Sequence, residues 1–228
     1  MDKIIEKFSS YDFWGIMFPG IVFNLSVFSI YKWGTTGNVD YYFFSNLGVI
    51  IAFTVISFLI GTMLQEIAHN TERYVLFRGK HPYETFLSDK KILGIEPMEF
   101  LLKLIKEESN PKLLIECKPD NRFYNRLVLN YMNTHLIAKG FSSKSDKMLS
   151  IYILNRGLMY SFLFTIFIAI GLMLFADNII FINVITCVLL SVLSVLLFYI
   201  RANRYAKARV KSVCGFYHAI YGVKSEEQ

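Results

Sequence analysis

Two short segments of this sequence carry side chains that bind ligands in other proteins, and the first is Glu66 to Arg73. Glu66 and His69 have the Glu-x-x-His spacing that metal sites in helical bundles use. Those sites need a second such pair and further carboxylates, and the sequence holds no second pair. The alternative is one polar helix face of Glu66, Asn70 and Arg73, with local pairing worth about 0.2–0.5 kcal/mol. We favour this alternative and expect neither a metal nor a cofactor.

The second segment mixes guanidinium groups with aromatic rings, as sites for nucleotides or phosphates do. Arg122 and Arg126 are four residues apart and share a helix face, so they could hold one anion between them. The candidate residues for binding a ligand or partner are Arg122, Phe123, Tyr124 and Arg126. The alternative is a solvated basic face above a core stripe of Phe123, Leu127 and Tyr131. We favour it because no glycine-rich phosphate loop accompanies the segment.

Motifs for catalysis are missing from the sequence. It has no nucleophile-base-acid arrangement, no Walker loop and no dinucleotide fingerprint. We therefore expect a protein that is not an enzyme. A lipid-modifying enzyme with Glu66 and His69 at the membrane border is a less favoured alternative.

The composition assigns these segments to a membrane protein. Hydrophobic residues make up 54% of the chain and charged residues 18%, which is too apolar for one soluble core of this length. Four segments without Asp, Glu, Lys or Arg are long enough to cross the hydrocarbon. They are residues 13–31, 43–64, 158–176 and 179–200. The fold class we predict is all-α, a polytopic membrane protein with four transmembrane helices and a small helical cytoplasmic domain between spans 2 and 3.

The basic residues predict the topology, because Lys and Arg near spans stay on the cytoplasmic side. They are concentrated in residues 66–157 and in the tail 201–228. They are nearly absent from the short connection between spans 1 and 2 and from the one between spans 3 and 4. We expect an N-terminal hairpin 1–65, a cytoplasmic helical domain and stalk 66–157, a C-terminal hairpin 158–200 and a basic tail helix 201–228. This topology predicts a multi-pass membrane protein with both termini in the cytoplasm.

Helical patterns continue through the cytoplasmic parts. Residues 97–108 and 120–138 each show an apolar face at helical spacing, and Gly140 is a plausible cap for the second. Ser143 to Asp146 resembles a capping box that opens a helix running into span 3. The period also continues beyond span 4 as far as Ile220. We expect these two extensions to form stalks.

Polar and small residues within the spans predict bends and helix contacts. Pro19-Gly20 interrupts span 1, which would allow a hinge or a pore-lining bend, and Asn24 could pair helices or line a narrow oligomeric pore. A packing kink, or an interfacial helix ahead of a shorter span, is the alternative, and we favour it. Small residues at four-residue spacing let helices approach closely, within one chain or between subunits. They are Ser57 and Gly61 in span 2, and Gly157, Ser161, Thr165 and Ala169 in span 3.

Three membrane-border motifs carry a family resemblance. They are Tyr11-Asp12-Phe13 followed by Pro19-Gly20, Gly61 to Glu66, and Tyr152 to Arg156. Together they resemble small bacterial four-span proteins that accompany anti-phage systems, with the membrane accessory proteins of type VI-B RNA-targeting CRISPR loci as one comparison. The resemblance covers about a quarter of the chain. It implies a defence context and transfers no catalytic residues.

Two functional hypotheses follow. The first is an inner-membrane effector or accessory protein that forms homo-oligomers and perturbs or permeabilises the bilayer when a cytoplasmic ligand or partner binds. That ligand would be a nucleotide, an RNA or a soluble protein. The second is a membrane adaptor that recruits or restrains a soluble effector protein through the surface around Arg122 and Arg126.

Overall fold

The computed structural model describes residues 12–39, 45–88, 121–141, 143–176 and 178–221. All regular secondary structure in these ranges is helical. The amphipathic helix predicted for residues 97–108 lies outside the described residues.

One π-helical turn and six α-helices make up the described chain. The π-helical turn is Asp12–Met17, and it leads directly into α1. The α-helices are α1 Phe18–Thr36, α2 Leu47–Val75, α3 Pro82–Thr85, α4 Arg122–Ala138, α5 Ser143–Phe175 and α6 Phe181–Tyr221.

Four of these helices are long and apolar enough to cross a membrane. They belong to the segments Phe13–Thr36, Leu47–Val75, Lys144–Phe175 and Phe181–Ile220, which contain 18-residue stretches with mean hydropathies of 1.7, 2.5, 2.3 and 2.6. For the residues that the structure describes, the prediction of an all-helical fold with four such helices is confirmed. Helices α5 and α6 extend well beyond the charge-free runs, because their helical periods continue through the flanking polar residues.

Pro19 stands in the first turn of α1, directly after the π-helical turn. Because the π-helical turn leads directly into α1, the missing N–H of Pro19 leaves a carbonyl of that preceding turn without its helical donor. The proline therefore marks a junction between two kinds of helical turn near the start of the segment.

The chain divides into two compact units. The first, which we call the membrane unit, comprises Met1–Glu72 and Ser150–Ala202. The second unit comprises Arg73–Leu149 and Asn203–Gln228. The domain boundaries predicted from the sequence remain predictions.

The second unit has a hydrophobic core built on α4. The side chain of Asn121 caps this helix by accepting hydrogen bonds from the N–H groups of Phe123 and Tyr124. The buried core residues are Phe86, Leu87, Tyr124, Val128, Leu129, Met132, Leu136, Val210, Val213, Cys214 and Tyr217.

The predicted core stripe of α4 is wrong at Phe123, whereas Leu127 is partly buried and Tyr131 packs against the core. Phe123 is 74% exposed, whereas Tyr124, Val128 and Met132 are buried. The helix carries apolar residues at both sets of positions. Packing against Phe86, Leu87 and the last turns of α6 selects the second set.

Candidate functional site

Four polar side chains from α2 and α5 are buried together in the membrane unit. We call this group, Gln65, Glu72, Tyr152 and Arg156, the polar cluster. The exposed fractions are 9%, 4%, 5% and 6%. Burial of a carboxylate and a guanidinium is unfavourable unless the two groups are paired and hydrogen-bonded.

The pairing within the cluster centres on one carboxylate oxygen. Arg156 Nη1 donates to Glu72 Oε2, and the hydroxyl of Tyr152 donates to the same oxygen at 2.5 Å. The guanidinium carbon of Arg156 also lies 5.6 Å from the centroid of the Tyr152 ring. Glu72 and Arg156 thus neutralise each other, and the neutral side chain of Tyr152 contacts both.

Gln65 links this ion pair to the π-helical turn that precedes α1. Its side-chain oxygen accepts from Arg156 Nη2 at 2.8 Å, and its amide nitrogen donates to the backbone carbonyl of Gly15. The same nitrogen donates to the carbonyl of Ile153 at 3.2 Å. One amide therefore joins three helical segments of the membrane unit.

Two further contacts flank the cluster. Thr71 Oγ1 and the hydroxyl of Tyr160 are hydrogen-bonded at 2.6 Å. His69 Nδ1 lies 3.7 Å from Glu72 Oε1, and the side chain of His69 is 65% exposed.

The cluster presents ion pairing and hydrogen bonding, with no serine, cysteine or lysine nucleophile among its four members. Its chemistry is that of a conformational lock between helices.

Close backbone contacts accompany the lock, and they involve the glycines singled out in the sequence. A Cβ atom on Gly20 would overlap the carbonyl oxygen of Ser57, and one on Gly61 would overlap the carbonyl oxygen of Ile16. A Cβ on Gly157 would lie 2.7 Å from Pro19 Cγ. Only glycine allows α1, α2 and α5 to approach this closely.

The other small and polar residues predicted in the spans are also packed inside the membrane unit. Ser161 Oγ donates to the carbonyl of Pro19 at 2.8 Å, and Asn24 Nδ2 donates to Ser57 Oγ at 2.9 Å. Ser57, Ser161, Thr165 and Ala169 are fully buried. Pro19, Gly20 and Asn24 thus take part in packing and interhelical hydrogen bonds. The hinge or pore role proposed for these three residues remains a prediction.

The structure separates the four predicted ligand-binding residues of α4. Arg122 and Phe123 are exposed, whereas Tyr124 is 8% exposed and belongs to the core of the second unit. Arg126 Nη2 donates to Glu84, and its guanidinium carbon lies 5.1 Å from the ring centroid of Tyr83. The role of the four residues in binding remains a prediction.

The side chain of Arg126 is fixed by an ion pair with the buried carboxylate of Glu84. The side chain of Glu84 is 2% exposed, and its other oxygen lies 3.7 Å from Arg73 Nε. Two arginines therefore compensate one buried carboxylate. The anion that pairs with Arg126 in this structure is supplied by the protein itself.

The residues of the Glu66 to Arg73 segment lie in different environments, some exposed and some buried. Glu66 Oε1 accepts from Asn70 Nδ2 at 3.1 Å on an exposed face of α2. His69 points towards Glu72, as described above. In the described part of the chain, no group of three or more His, Cys, Asp or Glu side chains is placed to hold a metal ion.

Sequence reasoning gave no role to Glu72 or Arg156, although Glu72 lies within the segment Glu66 to Arg73 and Arg156 ends the motif Tyr152 to Arg156. Glu72 is seven residues after Gln65, and Arg156 is four residues after Tyr152. Both spacings put side chains on one helix face. A search for polar residues at helical spacing near the ends of the charge-free runs would have found the four.

Comparisons with known proteins give no relative for this chain. No protein-family model, no curated protein and no solved structure matches it.

Proposed function

We propose that the chain is a bacterial inner-membrane protein of anti-phage defence. It self-associates and perturbs or permeabilises the membrane when a ligand or partner engages its cytoplasmic parts. The defence context comes from the sequence motifs at the membrane borders. The mechanism is supported chiefly by the polar cluster, which holds a buried ion pair inside the membrane unit.

The energetics of the polar cluster support a switching role. Replacing a buried ion pair by packed apolar residues is often neutral or stabilising, so the pair is not there for stability alone. In some proteins such pairs favour one arrangement of helices over others. Opening the bond between Glu72 and Arg156 would leave charged groups inside the membrane unit. Water would then be drawn in to solvate them.

The outer surface of the membrane unit suits a closed resting state. Large apolar side chains cover it, among them Ile51 at 57%, Leu59 at 57% and Leu193 at 63% exposure. The hydroxyls of Thr62 and Thr186 bond back to carbonyls of their own helices. A single chain therefore offers no polar outer stripe along these positions, and permeation requires rearrangement and self-association.

The test uses proteoliposomes of phosphatidylethanolamine and phosphatidylglycerol loaded with a self-quenching dye. Glu72→Gln weakens the ion pair without requiring the natural trigger. We expect this variant to release dye several-fold faster than the unmodified protein. Glu66→Gln is the matched control, because Glu66 lies on the same helix but on an exposed face.

Two results would contradict the permeabilisation mechanism. One is dye release from Glu72→Gln that equals release from Glu66→Gln. The other is an unchanged membrane potential in phage-infected cells that express the protein. Size-exclusion chromatography in detergent would show beforehand that both variants remain folded.

A second candidate function is supported by the exposed end of α4. Phe123 is 74% exposed beside the exposed Arg122, and such an aromatic and guanidinium pair is typical of protein interaction surfaces. This observation favours an adaptor that recruits or restrains a soluble effector protein.

Purification from bacterial membranes separates the two candidates. An adaptor would carry a stoichiometric soluble protein, and Phe123→Ala would lose that protein. Ile137→Ala is a matched control, because Ile137 is an exposed apolar residue of the same helix at 53% exposure. Purification of the chain without any stoichiometric companion would exclude the adaptor.

A further inference from the structure

A groove runs along one side of the membrane unit, apart from the polar cluster. Its volume is about 290 Å³, and it is lined by residues of α1, α5 and α6. Its lining includes Val22, Ser26, Phe162, Leu190, Ser191 and Ser194. We call this feature the serine groove.

Ser191 is the residue that indicates an occupant. Its side chain lines the groove, and the residue is only 5% exposed. Its hydroxyl has no hydrogen-bond partner within the described ranges. By contrast, Ser194 Oγ donates to the carbonyl of Leu190 at 2.9 Å, in the back-bonding that serines in membrane helices commonly use. The Ser194 oxygen still has lone pairs to accept a further hydrogen bond.

The depth of Ser191 in the bilayer limits what can meet its hydroxyl. It lies near the middle of the charge-free run 179–200, far from both lipid headgroup regions. Acyl chains provide neither a donor nor an acceptor at that depth. A polar group at the same depth must come from another membrane helix.

A second copy of this chain meets this requirement, because its topology places the same polar residues at the same depth. The distribution of Lys and Arg inserts every copy in the same direction, so equal residues lie at equal depths. A two-fold axis along the membrane normal would bring two serine grooves together. Ser191 of one copy and Ser194 of the other then differ by about 4.5 Å in height along the membrane normal, since a helix rises about 1.5 Å per residue.

We infer that the serine groove is a self-association surface and that its occupant is α6 of a second copy of this chain. The hydroxyl of Ser191 donates to the Ser194 oxygen of that copy, and the symmetry makes the contact reciprocal. Small side chains along the groove allow the close approach that such interhelical hydrogen bonds need. This inference rests on the self-association in the proposed function and names its surface.

Cross-linking in membranes tests the contact directly. Two differently tagged copies are co-expressed in a background with Cys117→Ser, Cys187→Ala and Cys214→Ala. One copy carries Ser191→Cys and the other Ser194→Cys. Oxidation with iodine should give a disulfide between the two tags, because the cysteines would meet at bonding distance.

The control pair joins Ser191→Cys with Leu193→Cys. Leu193 is on the same helix, one residue from Ser194, but is 63% exposed and is absent from the groove lining. We expect no disulfide from this pair. Equal cross-linking of both pairs, or none from the first, would overturn the inference.

A second measurement does not depend on cysteines. Förster transfer between labelled copies is followed in liposomes as lipid dilutes the protein. Ser191→Ala in both copies removes the two reciprocal hydrogen bonds and should weaken association by about sevenfold to three-hundredfold. Ser191→Leu should fill the groove and abolish association. Unchanged association in Ser191→Ala, or a monomeric unmodified protein that retains lipid, would overturn the inference.

Failure of this inference can be told from failure of the proposed function. If the disulfide forms but no variant releases dye, the serine groove stands and permeabilisation is wrong. If Glu72→Gln releases dye while the two tags never cross-link, permeabilisation stands and the groove assignment is wrong.

Discussion

Arg156 donates a hydrogen bond from Nη1 to Glu72 Oε2 across 84 positions of the chain, between helices α5 and α2. The two side chains are only 8% and 5% exposed. The pair is completed by Tyr152 on the carboxylate and by Gln65 on the guanidinium. It is therefore a charge-neutral, hydrogen-bonded centre that fixes how the helices of the membrane unit meet.

Removing the arginine alone should destabilise the membrane unit strongly. Arg156→Met leaves the carboxylate of Glu72 buried without its cation, and loss of one partner of a buried pair costs about 3–5 kcal/mol. Thermal unfolding in detergent, followed by circular dichroism, measures the loss. The double variant Glu72→Met with Arg156→Met should recover much of it, because no unpaired charge is left. A double variant no more stable than Arg156→Met would contradict the assignment of the pair.

Close backbone contact makes Gly20 sensitive to a single methyl group. In Gly20→Ala the new Cβ would overlap the carbonyl of Ser57, so the two helices must move apart. Overpacking of this kind costs about 1–3 kcal/mol. Gly171→Ala is the control, since nothing lies within 4 Å of a Cβ at that position. Equal unfolding temperatures for the two variants would show that α1 and α2 do not pack as described.

Asn125 should control the stability of the second unit. It is fully buried, its side-chain oxygen accepts from the N–H of Leu87 at 2.9 Å, and its amide donates to the carbonyl of Asn121. Asn125→Leu leaves the N–H of Leu87 without a partner, at a cost of about 1–3 kcal/mol. Limited proteolysis of α4 measures the effect. Asn130→Ala, at an exposed position of the same helix, should cleave no faster than the unmodified protein.

Cys214 should make the second unit less stable at alkaline pH. It lies beyond the charge-free run that ends at Ile200, and burial raises the pKa of its thiol to about 12. In the unfolded chain a thiol has a pKa of about 8.5. The folded form therefore keeps its proton more tightly. This contribution is fully present below about pH 8.5 and is lost as pH rises towards 12.

The measurement for Cys214 is a comparison between pH 8 and pH 10. The free energy of unfolding should fall more steeply for the unmodified protein than for Cys214→Ala, by about 1.4 kcal/mol per pH unit well above the unfolded pKa. Parallel pH profiles for the two proteins would show that the thiol is accessible to water in the folded state.

The sequence predicted the elements of this fold from local chemistry. Four charge-free runs of bilayer length are helices because a backbone in hydrocarbon must satisfy its own hydrogen bonds. The apolar face of residues 120–138 predicted the start of α4 within two residues, since helical periodicity can be read from the local sequence. These features depend on neighbours in the chain, so one sequence is enough to read them.

The choice of partners was decided only by the tertiary structure. Helical spacing places Glu72 on the same face as Gln65, but it does not say whether Arg73, Arg78 or Arg156 meets the carboxylate. Packing selects Arg156 for Glu72, and it gives Arg73 and Arg126 to Glu84. The same packing buries Tyr124 and exposes Phe123. A period of 3.6 residues identifies the faces of a helix, whereas the contacts between faces depend on how distant helices fit together.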